Sequence, residues 1–202
     1  MKYHGLEMAR RSDHTREELR NLILESARRI VQSDGIETLT ARKIAAGTGY
    51  TVGTIYQHFE GMDDLVHQLN GGTLQSLYEH CAGLNLIGSP GENLTTLANS
   101  FVEFAEARGN EWEAVISYRY GPDHEWSEDY DATVSNLLGL MGRATASLYS
   151  SDKKAQQIKD MRLLWVSLYG AFTLNSAGRL GKEQTLPEII DSLVEMFLSS
   201  KR

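Results

Sequence analysis

The chain has 202 residues, a formal net charge of −7 and a single cysteine. One cysteine excludes an internal disulfide and suits a reducing cytoplasm, and no apolar run reaches the roughly 18 residues that a membrane span needs. Residues 1–60 carry a net charge of +1 and residues 61–202 a net charge of −8, so the acidic C-terminal part would repel DNA and confine any DNA contact to the N-terminal part.

The first 13 residues form a charged arm that contains Arg10 and Arg11 beside two acidic residues. An arginine pair of this kind is either simply solvated or reaches a DNA minor groove or backbone phosphates. The sequence leaves both interpretations open.

A long amphipathic helix follows the arm. Thr15 and Glu18 have the spacing of a capping box, in which the threonine caps the first turn and the glutamate reaches back. Apolar residues at helical spacing continue to about Asp34, and Gly35 is a typical C-terminal stop.

The next stretch predicts two short helices joined by a tight turn. Thr40 is an N-cap for residues 41–46, and Gly49 suits a turn position with positive φ. Thr51 caps a second helix over residues 52–58. The spacing of a small residue, a turn glycine and an inward aliphatic residue predicts a helix-turn-helix, whose second helix enters the major groove.

The outward face of that second helix is unusual for a surface built only for solubility, which would carry more Glu and Lys. Its side chains are short, polar or aromatic, and none is acidic: Thr51, Val52, Thr54, Tyr56, Gln57 and His58. This composition favours a binding role.

The motif of this region consists of Thr40-Ala41-Arg42-Lys43-Ile44-Ala45, then Gly49, then Gly53-Thr54-Ile55-Tyr56-Gln57-His58-Phe59. It resembles the TetR family of bacterial transcription regulators, over about residues 15–66. A weaker pattern, Trp165…Tyr169-Gly170, is similar to the Trp…His-Gly signature of some members, with Tyr169 in place of the histidine. The resemblance implies an all-α chain of about nine helices. Residues 1–62 would be the arm and a three-helix helix-turn-helix DNA-binding domain, and residues 63–202 a helical effector-binding and dimerisation domain.

The resemblance also implies roles for individual residues. Arg42 would reach a base edge or a phosphate, although it could also be an ordinary surface arginine. Thr40 would contact a phosphate as well as capping its helix, and Tyr56 and His58 resemble the family's phosphate-contacting pair. The remaining residues would read the sequence, with Val52 against a thymine methyl group: Thr51, Val52, Gly53, Thr54 and Gln57. His58 lacks a second ligand at metal-binding spacing, so no metal site is expected there.

One departure from the family pattern concerns the residues after Phe59. The family usually continues with Lys-x-Lys, which supplies phosphate contacts, whereas this chain has Glu60-Gly61-Met62. The missing cations predict a shallow salt dependence of DNA binding.

A second long helix, the fourth helix of the chain, is predicted from Asp63-Asp64 to about Gly83, with Gly71-Gly72 in its interior. Two glycines inside a helix cost roughly 1 kcal/mol each relative to alanine. They indicate either close helix packing, a local break, or a hinge that changes the separation of the DNA-reading parts.

The C-terminal part predicts further helices over residues 92–108, 112–120, 131–149 and 151–179, and a last one from Thr185. The polar segment 121–131 is rich in carboxylates but lacks metal-ligand spacing, so a solvated loop is favoured over a metal site. The last helix is apolar over more than half its circumference, which predicts cover by a second subunit in a four-helix bundle.

Candidate effector-pocket residues are the aromatic or soft side chains of these helices, each of which could equally be ordinary core: Tyr78, Phe101, Phe104, Trp112, Tyr118, Met141, Trp165 and Tyr169. The small-molecule effector itself is unspecified by the sequence. No cofactor is expected.

The function expected from the sequence is a ligand-responsive transcriptional regulator, a repressor that binds a palindromic double-stranded DNA operator as a homodimer and is released by a small molecule. An all-α enzyme is the alternative, but no Ser or Cys has a convincing His partner and the six histidines are scattered. A ligand-independent DNA-architectural protein is disfavoured by the acidic C-terminal part. We expect a cytoplasmic protein with no membrane association, since residues 1–4 are not followed by the apolar stretch of a signal peptide.

Overall fold

The computed structural model describes residues 14–201, and within that range every regular element is helical. The helices are α1 (Arg16–Asp34), α2 (Ala41–Thr48), α3 (Val52–His58), α4 (Met62–Ala82), α5 (Pro90–Ala107), α6 (Gly109–Ser117), α7 (Glu128–Ala144), α8 (Lys154–Ser176) and α9 (Leu186–Ser199). Three short 3-10 turns cover Ile36–Thr38, Ala146–Leu148 and Ser151–Lys153. The all-α prediction is confirmed. The arginine pair of the arm lies outside the described residues.

Local capping chemistry explains where several helices begin. The Thr15 hydroxyl accepts from the Glu18 N–H at 3.2 Å, and the Glu18 carboxylate accepts from the Thr15 N–H at 2.6 Å. These bonds confirm the predicted capping box and hold the pKa of Glu18 below its ordinary value. The same reciprocal box begins α5 at Ser89 and α9 at Thr185, where proline in the first turn needs no N–H partner.

Some boundaries differ from those predicted. Helix α7 begins at Glu128 because the Ser127 hydroxyl caps it by accepting from the Tyr130 N–H. It ends at Ala144, where Thr145 leaves helical geometry and a 3-10 turn follows. Helix α8 ends at Ser176, three residues early, since Gly178 adopts a positive φ of 64°.

The apolar side chains form two core clusters, and α4 contributes to both. The first cluster joins α1, α2 and α3 with Leu65, Val66 and Leu69 from the first half of α4. The second cluster joins α5 to α9 with Leu74 and Leu77 from its second half. We refer to α1–α3 as the head and to α4–α9 as the body. Because one continuous helix is buried in both clusters, head and body are not separated by a flexible linker.

The two interior glycines of α4 lie in an unbroken helix against two neighbouring side chains. A Cβ atom at position 72 would lie 2.8 Å from Nη2 of Arg28 on α1, whereas one at position 71 would lie 3.7 Å from Tyr130 on α7. Gly72 therefore leaves room for the end of the Arg28 side chain, which favours the close-packing interpretation. The hinge interpretation concerns a motion and stays a prediction.

The Arg28 side chain, which lies beside Gly72, also contacts a buried carboxylate on α6. Glu111 is 3% exposed, and its Oε1 lies 3.6 Å from Arg28 Nε and 3.8 Å from Arg108 Nη1. Its Oε2 accepts from Gln32 Nε2 at 3.1 Å, and the Asn110 amide donates to the Gln32 carbonyl at 2.8 Å. A charged, partly hydrogen-bonded contact thus joins the head to the body.

The polar segment before α7 forms a second contact with α4. Its carboxylates are exposed, as a solvated loop would have them, but its aromatic rings pack on His67, which is 5% exposed. The rings of Tyr120, His124, Trp126 and Tyr130 lie with centroids 4.8–6.2 Å from the His67 ring. Among residues 14–201 no group of three or more His, Cys, Asp or Glu side chains is placed to hold a metal ion.

Hydrogen bonds hold the ring of that histidine in place. Its Nε2 lies 2.8 Å from the Ser127 hydroxyl and 3.3 Å from the Ser127 backbone nitrogen, and its Nδ1 lies 3.1 Å from Nε2 of His124. Nearby, Asp63 accepts from the Tyr118 hydroxyl at 2.7 Å and from the Gly121 N–H at 2.8 Å. Two histidines that the sequence left scattered are therefore direct neighbours.

Alanine at the two glycine positions should have different effects on the free energy of unfolding. Gly71→Ala should stabilise the protein by about 0.5–1 kcal/mol, because alanine is the better helix former and its methyl group fits against Tyr130. Gly72→Ala should stabilise the protein less, since the new methyl group would lie 2.8 Å from Nη2 of Arg28 and that side chain must shift. Urea denaturation of both variants measures the difference, and equal stabilisation would contradict the close packing at Gly72.

Stability should fall as the pH drops below about 6.5, the ordinary pKa of histidine. Burial, and then the neighbouring His124, lower the pKa of His67, against the opposing effect of Asp64 and Asp131. The unfolded chain then binds this proton more readily than the folded one, so protonation favours unfolding. Urea midpoints at pH 7.5 and 5.5 measure the effect. His67→Gln should flatten this pH dependence, and an unchanged dependence in that variant would contradict the assignment.

Candidate functional site

The turn between α2 and α3 has the backbone geometry that the sequence predicts. Gly49 adopts φ 75° and ψ 10°, the left-handed conformation that favours glycine, and its N–H donates to the Ala45 carbonyl at 2.9 Å. The prediction of a positive φ at Gly49 is confirmed. This turn sets the crossing of the two short helices.

The two helices are held by threonine caps and by a shared buried face. The Thr40 hydroxyl accepts from the Lys43 N–H at 3.2 Å, and the Thr51 hydroxyl accepts from the Thr54 N–H at 3.1 Å. Ile44 and Ile55 are fully buried. The inward residues therefore fix the orientation of α3, and its other face is free for a partner.

The outward face of α2 and α3 contains the residues that the sequence singled out. Tyr56 is 49% exposed, an unusual position for a large aromatic side chain. The other members are exposed or half-buried: Thr40, Arg42, Thr51, Val52, Gly53, Thr54, Gln57 and His58. Among them, half-buried Val52 also packs against the head core.

The C-terminal end of α3 is tied to α1. Arg20 Nη1 donates to the His58 carbonyl at 2.8 Å, and the Arg20 guanidinium lies 4.8 Å from the centroid of the Phe59 ring. His58 Nδ1 is buried and has no hydrogen-bond partner within the described range. A buried N–H without an acceptor is costly, so the proton of neutral His58 is best placed on Nε2.

Charge around this surface is sparse. Arg42 is exposed, and Lys43 Nζ lies 3.7 Å from an Asp34 carboxylate oxygen. Glu60 is exposed beyond the end of α3, and its N–H donates to Asp64 Oδ2 at 3.0 Å, which helps to begin α4. The surface would therefore bind an anion through a few placed contacts rather than through a strong field.

An apolar cavity of about 50 Å³ lies in the body, among α4, α5, α7, α8 and α9. Four predicted pocket residues line it: Phe101, Met141, Trp165 and Tyr169. The other four lie elsewhere. Tyr78 packs against the body core, Phe104 packs against His80 and Arg108, Trp112 lies behind Phe101, and Tyr118 bonds Asp63.

Most residues of the cavity wall were not predicted from the sequence, because only aromatic and soft side chains were candidates. The additional lining residues are aliphatic or small: Cys81, Leu94, Leu97, Ala98, Leu137, Leu140, Leu164, Leu168 and Val194. Helical spacing can mark a residue as inward-facing, but it does not distinguish the wall of a cavity from a filled core. Burial raises the pKa of the Cys81 thiol, so it stays neutral at physiological pH.

Helix α8 is apolar on two sides. One side is buried in the body core through Met161, Leu164 and Phe172. The other exposes large apolar side chains at 46–65% of their surface: Ile158, Leu163, Val166 and Leu174. An apolar side of a helix is normally covered by another element.

Comparison with known proteins identifies the family. The profile described as "Bacterial regulatory proteins, tetR family" matches residues 23–69, and that described as "Tetracyclin repressor-like, C-terminal domain" matches residues 94–197, more than half of the chain. The chain belongs to the TetR family. It is accordingly a transcriptional regulator with an N-terminal helix-turn-helix DNA-binding domain. Comparison with curated proteins found no match.

Solved structures share the fold of this TetR family member. A TetR transcriptional regulator from Rhodococcus sp. RHA1 is 15% identical, with a TM-score of 0.69 over 91% of this chain and 98% of that one. A tetR-family transcriptional regulator from Streptomyces coelicolor is 19% identical, with a TM-score of 0.65 over 91% and 80%. Thermus thermophilus FadR, a TetR family transcriptional repressor solved in complex with lauroyl-CoA, is 18% identical, with a TM-score of 0.66 over 89% and 93%. At these identities the likeness establishes the fold alone.

None of the helices within residues 14–201 is long and apolar enough to span a bilayer.

Proposed function

We propose that this TetR family protein is a homodimeric repressor that binds a palindromic operator and is released from it by a small molecule. The observation that carries the proposal is the surface of α3, which is free of acidic residues and presents a half-exposed Tyr56. Buried Ile55 and Phe59 hold that surface outward. Sparse charge at the head favours two copies acting together.

The proposed operator contacts are of two kinds: contacts to phosphates, which position the protein, and contacts to base edges, which determine the sequence preference. Tyr56 and His58 would hold phosphates, the latter through Nε2–H, and Thr40 would do so through its hydroxyl proton, since its oxygen already accepts from Lys43. Arg42 would reach a guanine edge or a phosphate. The remaining residues would read bases: Thr51, Val52, Gly53, Thr54 and Gln57.

The exposed side of α8 would form the dimer interface, with α9 beside it. Val166 and Leu163 are 65% and 59% exposed on α8, and Met196 is 64% exposed on α9. Two such helices from each protomer would make a four-helix bundle across a two-fold axis. The axis would place the two copies of α3 about one DNA turn, roughly 34–36 Å, apart.

The effector would bind in the body cavity and act on the head through α4. The FadR relative binds lauroyl-CoA, which supports a ligand-binding body here. We retain residues 1–62 as the arm and DNA-binding part and residues 63–202 as the effector-binding and dimerisation part, although the head core includes side chains of α4. The effector would shift the equilibrium only by its different affinity for the two states.

DNA binding is tested with a palindromic fragment from the region upstream of the gene, followed by fluorescence anisotropy. Arg42→Ala should weaken binding by about tenfold or more, the loss of one charged contact. Arg143→Ala removes the same charge from an exposed position on α7 and should change binding little. Equal effects of the two variants would contradict the assigned surface.

Sedimentation, together with the same DNA-binding assay, tests the dimer. Val166→Asp should give monomers in sedimentation and lose the preference for a palindrome over a single half-site. Ile87→Asp makes the same change at a position that is 85% exposed between α4 and α5, and it should leave the dimer intact. A dimeric Val166→Asp protein would exclude this α8 interface.

Introducing lysine at positions 60 and 62, where the family pattern has it, should steepen the salt dependence of operator binding. Each added phosphate contact raises the magnitude of the log–log slope by about 0.9. Glu60→Lys/Met62→Lys is compared with Glu106→Lys, which adds positive charge at an exposed position on α5. A slope in the double variant no steeper than in the control would show that these positions do not reach phosphates.

A further inference from the structure

The wall of the body cavity holds no ionised group. Its lining residues are aliphatic, aromatic or sulfur-containing, the Cys81 thiol stays protonated, and the one hydroxyl, that of Tyr169, donates to the Ile116 carbonyl at 3.5 Å. Arg119, whose charge acts on Tyr169, is exposed. A carboxylate or phosphate enclosed in the cavity would therefore lose its hydration without gaining a buried cation, which is strongly unfavourable. The wall therefore selects an uncharged molecule.

The Trp112 side chain, which contacts the lining residue Phe101, carries an unpaired hydrogen-bond donor. Trp112 is 3% exposed, and its indole Nε1–H has no acceptor within the described range. Its ring meets that of Phe101 edge-to-face, with centroids 4.9 Å apart, and Phe101 lines the cavity. A buried donor without a partner is rare in folded proteins and calls for an explanation.

The size of the cavity indicates how a ligand would reach this donor. About 50 Å³ is well below the roughly 150 Å³ that an engineered apolar cavity needs to hold benzene. A molecule of that size must displace a wall side chain. Phe101 both lines the cavity and contacts the Trp112 ring, and it is only partly buried, so its displacement would enlarge the cavity towards Trp112.

We propose that the cavity binds an uncharged, mainly apolar molecule with one hydrogen-bond acceptor, which displaces Phe101 and accepts from the Trp112 Nε1–H. This inference rests on the effector part of the proposed function and specifies its ligand class. A ligand with an ionised head group would have to keep that group outside the cavity wall.

Three probes of one shape and the same number of non-hydrogen atoms test the ligand class: acetophenone, α-methylstyrene and benzoate. They differ in carrying a carbonyl, a methylene and a carboxylate at the same place. Calorimetric titration at pH 7.5 should give the tightest binding for acetophenone, weaker binding for α-methylstyrene, and at least about 100-fold weaker binding for benzoate than for acetophenone because of its unpaired charge. Benzoate binding as tight as that of acetophenone would overturn the proposal.

Trp112→Phe tests the hydrogen bond. Removing the donor should weaken acetophenone binding about three- to tenfold, the usual net contribution of one neutral hydrogen bond, and leave the affinity for α-methylstyrene unchanged. Equal losses for both probes would mean that Trp112 acts through packing alone, and the assigned donor would be wrong.

The chain has a single cysteine, so its chemical modification can show where the probe binds without any substitution. Cys81 lines the cavity, so acetophenone should slow its modification by N-ethylmaleimide in the folded protein, and benzoate at the same concentration should not. Binding by calorimetry without protection of Cys81 would place the probe elsewhere and overturn the cavity assignment.

The outcomes separate this inference from the proposed function. If none of the probes binds while operator DNA is bound, the ligand class is wrong and DNA recognition stands. If acetophenone binds as described while the palindrome is not bound, the ligand class is supported and the proposed DNA function fails.

Discussion

The structure depends on the burial of α4 in two apolar cores at once. Leu65 and Leu69 complete the core of the helix-turn-helix, and Leu74 and Leu77 belong to the core that surrounds the cavity. Since the helix is unbroken between them, a displacement of its second half must move its first half or bend it. The short helices that would contact DNA are therefore supported by the same element as the ligand cavity.

The elements that the sequence predicted correctly are those set by nearby residues. The Thr15 capping box, the Thr51 cap and the left-handed Gly49 each depend on groups within five residues. Contacts distant in sequence were beyond prediction. His67 and His124 are 57 residues apart and look unrelated, yet they share a hydrogen bond across a loop that composition alone presented as solvated.

The two candidate sites show the same contrast. The proposed DNA-binding surface lies on one short segment, so its membership can be predicted from helical spacing and the family resemblance. The cavity is assembled from five helices, and whether an inward residue meets a void or a neighbour depends on how those helices pack. Aromatic character selected Phe101 and Trp165 on its wall but also Phe104, which packs elsewhere, while the aliphatic majority, such as Leu140, went unselected.

The carboxylate of Glu111 has a consequence for recombining parts of this protein with those of relatives. It is buried on α6, and two of its partners, Arg28 and Gln32, belong to α1, whereas its third partner, Arg108, belongs to the body. A chimaera that exchanges α1–α3 for the corresponding helices of another regulator leaves this buried anion with Arg108 alone unless the donor supplies a cation and an amide at matching positions. Compatibility of these two positions therefore matters for the stability of such grafts.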